Sequence, residues 1–168
     1  HLRYDIEKPL MKRYIRRKLG IINNLKAEIS LLNEKLYEMD LVLQQKQLLM
    51  KGYAEEYLRL GIECISMDDL NAAIANFDKA ISINPNYIDA YVNKGRALLD
   101  SRKLREAMKV LNKALSISPN HFKAIYTRGK TLYAMEKYEE ASSDLDRATS
   151  LKPENISAHV LWGNILSD

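Results

Sequence analysis

The sequence predicts an all-α chain in which helical hairpins repeat along the second part and one long helix precedes them. Three observations carry this. Gly61, Gly95, Gly129 and Gly163 stand 34 residues apart, and so do Pro85, Pro119 and Pro153. Four of the six glycines and three of the four prolines thus share one register, which scattered turns would not produce. Between these marks apolar residues recur at three and four residues, the spacing of one helix face. Upstream, apolar residues instead fall every seventh residue from Ile15 to Met50, the pattern of a helix that packs along a seam.

In chain order, residues 1–52 read as a basic segment followed by a coiled-coil-like helix. Lys12, Arg13, Arg16, Arg17 and Lys18 place five cations in seven positions. That run is either a solvated helix face or a segment lying beside an anionic membrane, since cytoplasmic flanks of membrane anchors collect Lys and Arg. Nucleic-acid contact is disfavoured, because Tyr14 is the only aromatic residue interleaved with the charges and stacking needs more. Pro9 and Gly20 are expected to frame a separate short helix over residues 9–19, and Gly52 to part the long helix from the first repeat. Ile15, Ile22, Ile29, Leu36, Leu43 and Met50 take the a positions of the heptad, with Leu25, Leu32 and Met39 at d. Isoleucine at a with leucine at d favours a parallel dimer. Ile22, Leu25, Ile29, Leu32, Leu36, Met39 and Leu43 are therefore the candidate oligomerisation residues. Lys35 at g would face Asp40 at e of a partner, whereas Lys18 and Lys46 at d weaken the ends. The alternative is that a wider stripe, including Leu31, Val42 and Leu49, packs on the repeats or on a different chain.

Three units follow, residues 54–87, 88–121 and 122–155, with the repeats as a whole spanning 53–155. A helices are expected over 54–66, 88–100 and 122–134, and B helices over 70–83, 104–117 and 138–151. Ala73, Ala107 and Ala141 align, as do Ala80, Ala114 and Ala148, with Phe77, Leu111 and Leu145 between them. Small residues in register mark places where helices cross closely, and a long side chain there would cost about 1–3 kcal/mol. Each proline lacks an N–H and disfavours helix at the preceding residue, so it ends a B helix. Asp68 and Asp69 sit where an N-cap would open the first B helix. Residues 156–168 return to the A-helix offsets with His159, Trp162, Gly163 and Leu166, as a capping helix or the start of a fourth repeat.

This pattern resembles the tetratricopeptide repeat, a 34-residue helical hairpin. The first unit carries Tyr57, Leu60, Gly61, Cys64, Ala73, Phe77, Ala80 and Pro85 at the family's offsets. The second carries Tyr91, Lys94, Gly95, Leu98, Ala107, Leu111, Ala114 and Pro119, and the third Ile125, Arg128, Gly129, Leu132, Ala141, Leu145, Ala148 and Pro153. Cys64, Lys94 and Arg128 depart from it; the first packs as a small hydrophobe, and the others are expected to lay their stems over the core with the charge outside. The resemblance implies a right-handed superhelix, an α-solenoid, with the A helices lining a concave face that receives a segment of a partner protein. Leu58, Arg59, Ile62, Val92, Asn93, Arg96, Lys123, Tyr126, Lys130 and Tyr133 are the candidate groove residues.

Composition bounds the function classes. With 168 residues, 46% hydrophobic and 29% charged, the chain has a globular balance. Residues 1–53 hold 11 Lys+Arg against 6 Asp+Glu, and the remainder 15 against 16, so the basic character is confined to the first segment. The single cysteine, Cys64, makes no internal disulfide, which fits a reducing, cytoplasmic setting. The expectation is a chain without enzymatic activity, metal or cofactor. His1, His121 and His159 are scattered, and Glu139 with Glu140 reads as a solvated helix start rather than an acid–base pair. Function is expected to be that of a protein-binding scaffold or adaptor. A self-assembling scaffold, or the cytoplasmic module of a larger membrane protein, is the alternative. In one branch of the family, two residues of the first A helix, one of the second and two of the third clamp the C-terminal carboxylate of heat-shock chaperones. In this sequence those positions hold Leu58, Ile62, Asn93, Lys123 and Thr127, of which only Asn93 and Lys123 match. The groove is therefore expected to refuse chaperone tails and to prefer apolar or aromatic anchors with an acidic flank, Arg59, Arg96, Lys123 and Lys130 forming a basic rim. The competing expectation is that the groove's apolar residues cover the chain's own N-terminal helix.

Overall fold

In a computed structural model of the chain, the backbone is described for residues 2–167 and the side chains for residues 9–165. The described residues form seven helices and no strand: α1 (Leu2–Ser66), α2 (Leu70–Ile83), α3 (Ile88–Asp100), α4 (Leu104–Ile117), α5 (Phe122–Ala134), α6 (Tyr138–Leu151) and α7 (Ile156–Ser167). They divide into two units, residues 1–48 and 49–168. No helix among the described residues is long and apolar enough to cross a membrane.

The first unit is α1 as far as Leu48. The expected interruptions are absent: α1 runs through Pro9, Gly20 and Gly52. A glycine stops a helix by taking a positive φ, and no glycine in this chain does so. An interior glycine then costs only about 1 kcal/mol relative to alanine, and Pro9 removes one helical hydrogen bond near the helix start. Side chains from Pro9 to Leu48 are all exposed.

In the second unit, the end of α1 and the six short helices form three hairpins and a last helix. Each of α3 to α7 packs on the helix before it, and α3 also touches α5, the next A helix in the chain. The core runs along the hairpins. Ala73, Phe77 and Ala97 form one buried cluster, Leu98, Ala107 and Leu111 a second, and Val92, Ala114, Leu115, Ala124, Ile125 and Ala148 a third. The glycine column has the steric cause expected. A Cβ on Gly61 would enter the Phe77 ring, on Gly95 it would stand 2.7 Å from Leu111, and on Gly129 3.1 Å from Leu145. Each glycine of an A helix thus receives the large residue of its own B helix. At Gly163 nothing lies within 4 Å of the same point. Leu166, expected beside it, lies outside the described side chains.

The turns repeat as faithfully as the core. Between A and B helices, Asp68, Arg102 and Glu136 take φ of 59°, 61° and 61°. The next residue closes each turn: the N–H groups of Asp69, Lys103 and Lys137 donate to the carbonyls of Cys64, Leu98 and Leu132 at 2.9, 2.9 and 3.0 Å. This is the Schellman arrangement, with a non-glycine residue at its left-handed position. Asp69, not Asp68, caps α2, its carboxylate accepting from the Ala72 N–H at 2.9 Å. Between B and A helices, the N–H groups of Tyr87, His121 and Asn155 donate to the carbonyls of Asn84, Ser118 and Lys152. Proline follows each acceptor, at the turn position its fixed φ suits.

Candidate functional site

The groove residues of the second and third A helices come together. Val92, Asn93 and Arg96 of α3 and Lys123, Tyr126, Thr127 and Lys130 of α5 line one cavity of about 190 Å³. Helical spacing explains the set: residues three and four apart share a face, and α3 and α5 turn those faces toward one another. Six of the ten candidate groove residues thus meet in one place. Thr127 joins them; it is reachable from the sequence only by its offset in the repeat.

Val92 is 5% exposed, within the cluster of Leu115, Ala124 and Ile125, and forms the cavity floor. The four remaining candidates lie outside the lining. Leu58 is half-buried on the Phe77 cluster, while Ile62 is exposed. Arg59 is taken up by its own helix, donating to Glu56 at 3.0 Å and pairing with Glu63. The hydrogen bond to Glu56 is the main cause that raises the Arg59 pKa and lowers that of Glu56. Arg59 is therefore a neutralised patch rather than part of a basic rim. Tyr133 packs edge-on to Tyr138, with ring centres 5.6 Å apart.

Three cations face the cavity, Arg96, Lys123 and Lys130, and its lining holds no acidic side chain. Lys130 lies 5.9 Å from the centre of the Tyr126 ring, and Tyr126 stacks on Phe122 at 5.9 Å. An aromatic face and an ammonium are thus held side by side at one edge. The polar groups are partly committed: Asn93 donates to the Asp89 carbonyl at 2.8 Å and the Thr127 hydroxyl to the Lys123 carbonyl at 2.7 Å. Thr127 has no further hydrogen to give a carboxylate, and Leu58 and Ile62 have none at all. Chemically, the cavity offers an apolar floor, an aromatic wall and positive charge.

A second polar arrangement lies on the other side of α5 and was expected only as stems over the core. Arg128 donates through Nε and Nη2 to both oxygens of Asp144, each at 2.7 Å, and through Nη1 to Asn112 at 2.9 Å. Asp144 is 6% exposed, and its hydrogen bonds are the largest cause holding the Arg128 pKa up. One unit earlier, Lys94 Nζ meets Asp78 at 2.6 Å. The two charged departures from the repeat pattern are thus paired with acids on B helices sixteen residues away. Glu139 and Glu140 lie exposed in the first turn of α6, the latter paired with Lys137 at 2.6 Å.

Comparison with known proteins agrees with this architecture. The family described as anaphase-promoting complex, cyclosome, subunit 3 matches residues 66–165. No curated protein matches the chain. Among solved structures, the Arabidopsis OM64 TPR domain is similar at 24% identity and a TM-score of 0.68, covering 70% of this chain and 98% of its own. The first TPR of Spaghetti (RPAP3), bound to the HSP90 peptide SRMEEVD, is similar at 24% identity and 0.68, covering 70% and 93%. A MamA RS-1 double mutant is similar at 27% identity and 0.62, covering 68% and 64%. With its 34-residue hairpins, its glycine and alanine columns and this family match, the chain belongs to the tetratricopeptide-repeat family, within the group whose description is subunit 3 of the anaphase-promoting complex.

Proposed function

We propose that the chain is a non-catalytic protein-interaction scaffold in which the cavity between α3 and α5 receives a partner segment bearing an acidic residue beside an apolar or aromatic one. The observation that carries this is the lining: Arg96, Lys123 and Lys130 surround Tyr126 with no acid among them. A carboxylate entering there exchanges water for charge-assisted hydrogen bonds, the stronger kind, while an apolar neighbour covers Tyr126 and the Val92 floor. The similar Spaghetti domain is bound to a peptide, which supports the general reading. The finer one differs from it, since a C-terminal carboxylate needs several converging donors and only Asn93 and Lys123 stand at matching positions. Calorimetry with SRMEEVD tests this. Equal affinity is expected for the free acid and for the same peptide carrying a C-terminal amide, because no carboxylate clamp is present; micromolar binding that is lost on amidation and on Lys123→Ala would refute the selectivity.

The same reading makes the chain a homo-oligomer through the helix from Ile15 to Met50. It also assigns the exposed cations Lys12, Arg13, Arg16, Arg17 and Lys18 to an anionic, cytosolic membrane surface, where each contributes about 1 kcal/mol. Sedimentation with phosphatidylserine vesicles checks the latter, and no difference from neutral vesicles would overturn it.

A further inference from the structure

We infer that the long helix joins two copies of this chain in antiparallel orientation, with Ile29 of each packed against Leu32 of the other. This rests on the homo-oligomer reading above and adds the arrangement. The seam is open: every a and d side chain from Met11 to Met50 is exposed, Ile29 at 56% and Leu32 at 64%. Each apolar side chain taken out of water stabilises the helix that covers it, so a stripe of this length favours a covering helix. The cover must repeat every seven residues over the same span. Helices α2 to α7 have 12 to 14 residues each, far short of the seam. A second copy of α1 matches it in length and in period.

Charge decides the direction. In a parallel pair each core residue meets its own equivalent, so Lys18 would face Lys18 and Lys46 would face Lys46. The two basic runs would lie alongside, ten cations within about one Debye length. Isoleucine, the residue that favours the parallel pair, holds a only at positions 15, 22 and 29, with leucine at 36 and 43. Turned antiparallel about the midpoint of Ile29 and Leu32, the seam layers Ile22 on the partner's Met39 and Leu25 on the partner's Leu36. Lys18 then lies over Leu43 and Lys46 over Ile15, each laying its stem on an apolar neighbour with the ammonium in water. At the flanks Glu28 approaches Lys35, twice by the two-fold symmetry. The parallel pair has the same number of attractive contacts, Lys35 with Asp40 twice, so the ion pairs cancel and the like-charge layers decide. Antiparallel pairing also moves the basic runs about 46 Å apart at 1.5 Å per residue, several Debye lengths.

The test uses the full chain with Cys64→Ser and Gln45→Cys, the latter carrying a nitroxide label. Sedimentation equilibrium is expected to give a dimer and pulsed electron resonance a label separation of about 44 Å, from 1.5 Å per residue. A parallel pair, with axes about 10 Å apart, would bring the labels within about 25 Å. A dimer with the short distance overturns the orientation alone, whereas a monomer at micromolar concentration overturns the oligomer reading as well. Ile29→Lys combined with Leu32→Lys should give a monomer whose repeats melt as before. A dimer that survives this pair of substitutions places the interface elsewhere and also overturns the proposal.

Discussion

Gly95 shows how a single position fixes a hairpin. Its missing side chain is replaced by Leu111, which stands 2.7 Å from where a Cβ would be. Gly95→Leu must displace Leu111 or the helix that carries it. Such overpacking costs about 1–3 kcal/mol, and since about 1 kcal/mol moves a small domain by 4–8 °C, a melting temperature lowered by several degrees is expected in a thermal scan. An unchanged melt would contradict the packing. Arg128 supports the fold differently. Asp144 is almost fully buried and receives two hydrogen bonds from it, so Arg128→Ala leaves an acid without its cation. A loss of about 2–4 kcal/mol in denaturant unfolding is expected, because breaking a buried pair from one side costs more than the pair contributes. Asp144→Ala in the same background should recover part of it. The glycine column was legible in the sequence, since a 34-residue spacing of glycines has few other causes. The Arg128–Asp144 pair was not. A cation at an apolar offset signals only that its charge must go somewhere, and the acid that takes it is fixed by how α6 lies against α5.

At the scale of elements, the short helices were legible to the residue because a proline ends each hairpin and the glycine and alanine columns fix where its two helices cross. The long helix continues through Gly20 and Gly52 because a glycine stops a helix only by taking a positive φ, which neither does, and through Pro9 with the loss of one helical hydrogen bond near the helix start. The converse occurs in the turns after the A helices. Arg102 and Glu136 hold left-handed positions with no sequence signal, as neither residue favours positive φ. Their cost is outweighed by the Schellman hydrogen bonds that follow. Glu136→Gly should remove a left-handed cost of about 1–2 kcal/mol against a glycine entropy cost of about 0.5–1 kcal/mol. A small rise in melting temperature is therefore expected, and a fall would mean that the Glu136 side chain contributes more than its backbone strain takes away.

For the whole molecule, sequence offsets were enough to bring α3 and α5 residues to one cavity, because a regular repeat carries each offset to the same face. They were not enough to say which candidates remain available. Arg59 is paired within its own helix and Tyr133 packs on Tyr138, and both outcomes depend on neighbours that the offset does not specify. What survives is a compact cationic recess beside Tyr126, and the account stands on partner segments docking there. The direct test is selection of displayed peptides on the intact chain, followed by titration of the best binder against Lys123→Glu with Lys130→Glu. Acidic peptides with an adjacent aromatic or aliphatic residue are expected, with an affinity at least tenfold weaker in the double variant, about 1.4 kcal/mol, and its thermal melt unchanged. Peptides without acids, or an affinity the charge reversal leaves intact, would contradict docking there.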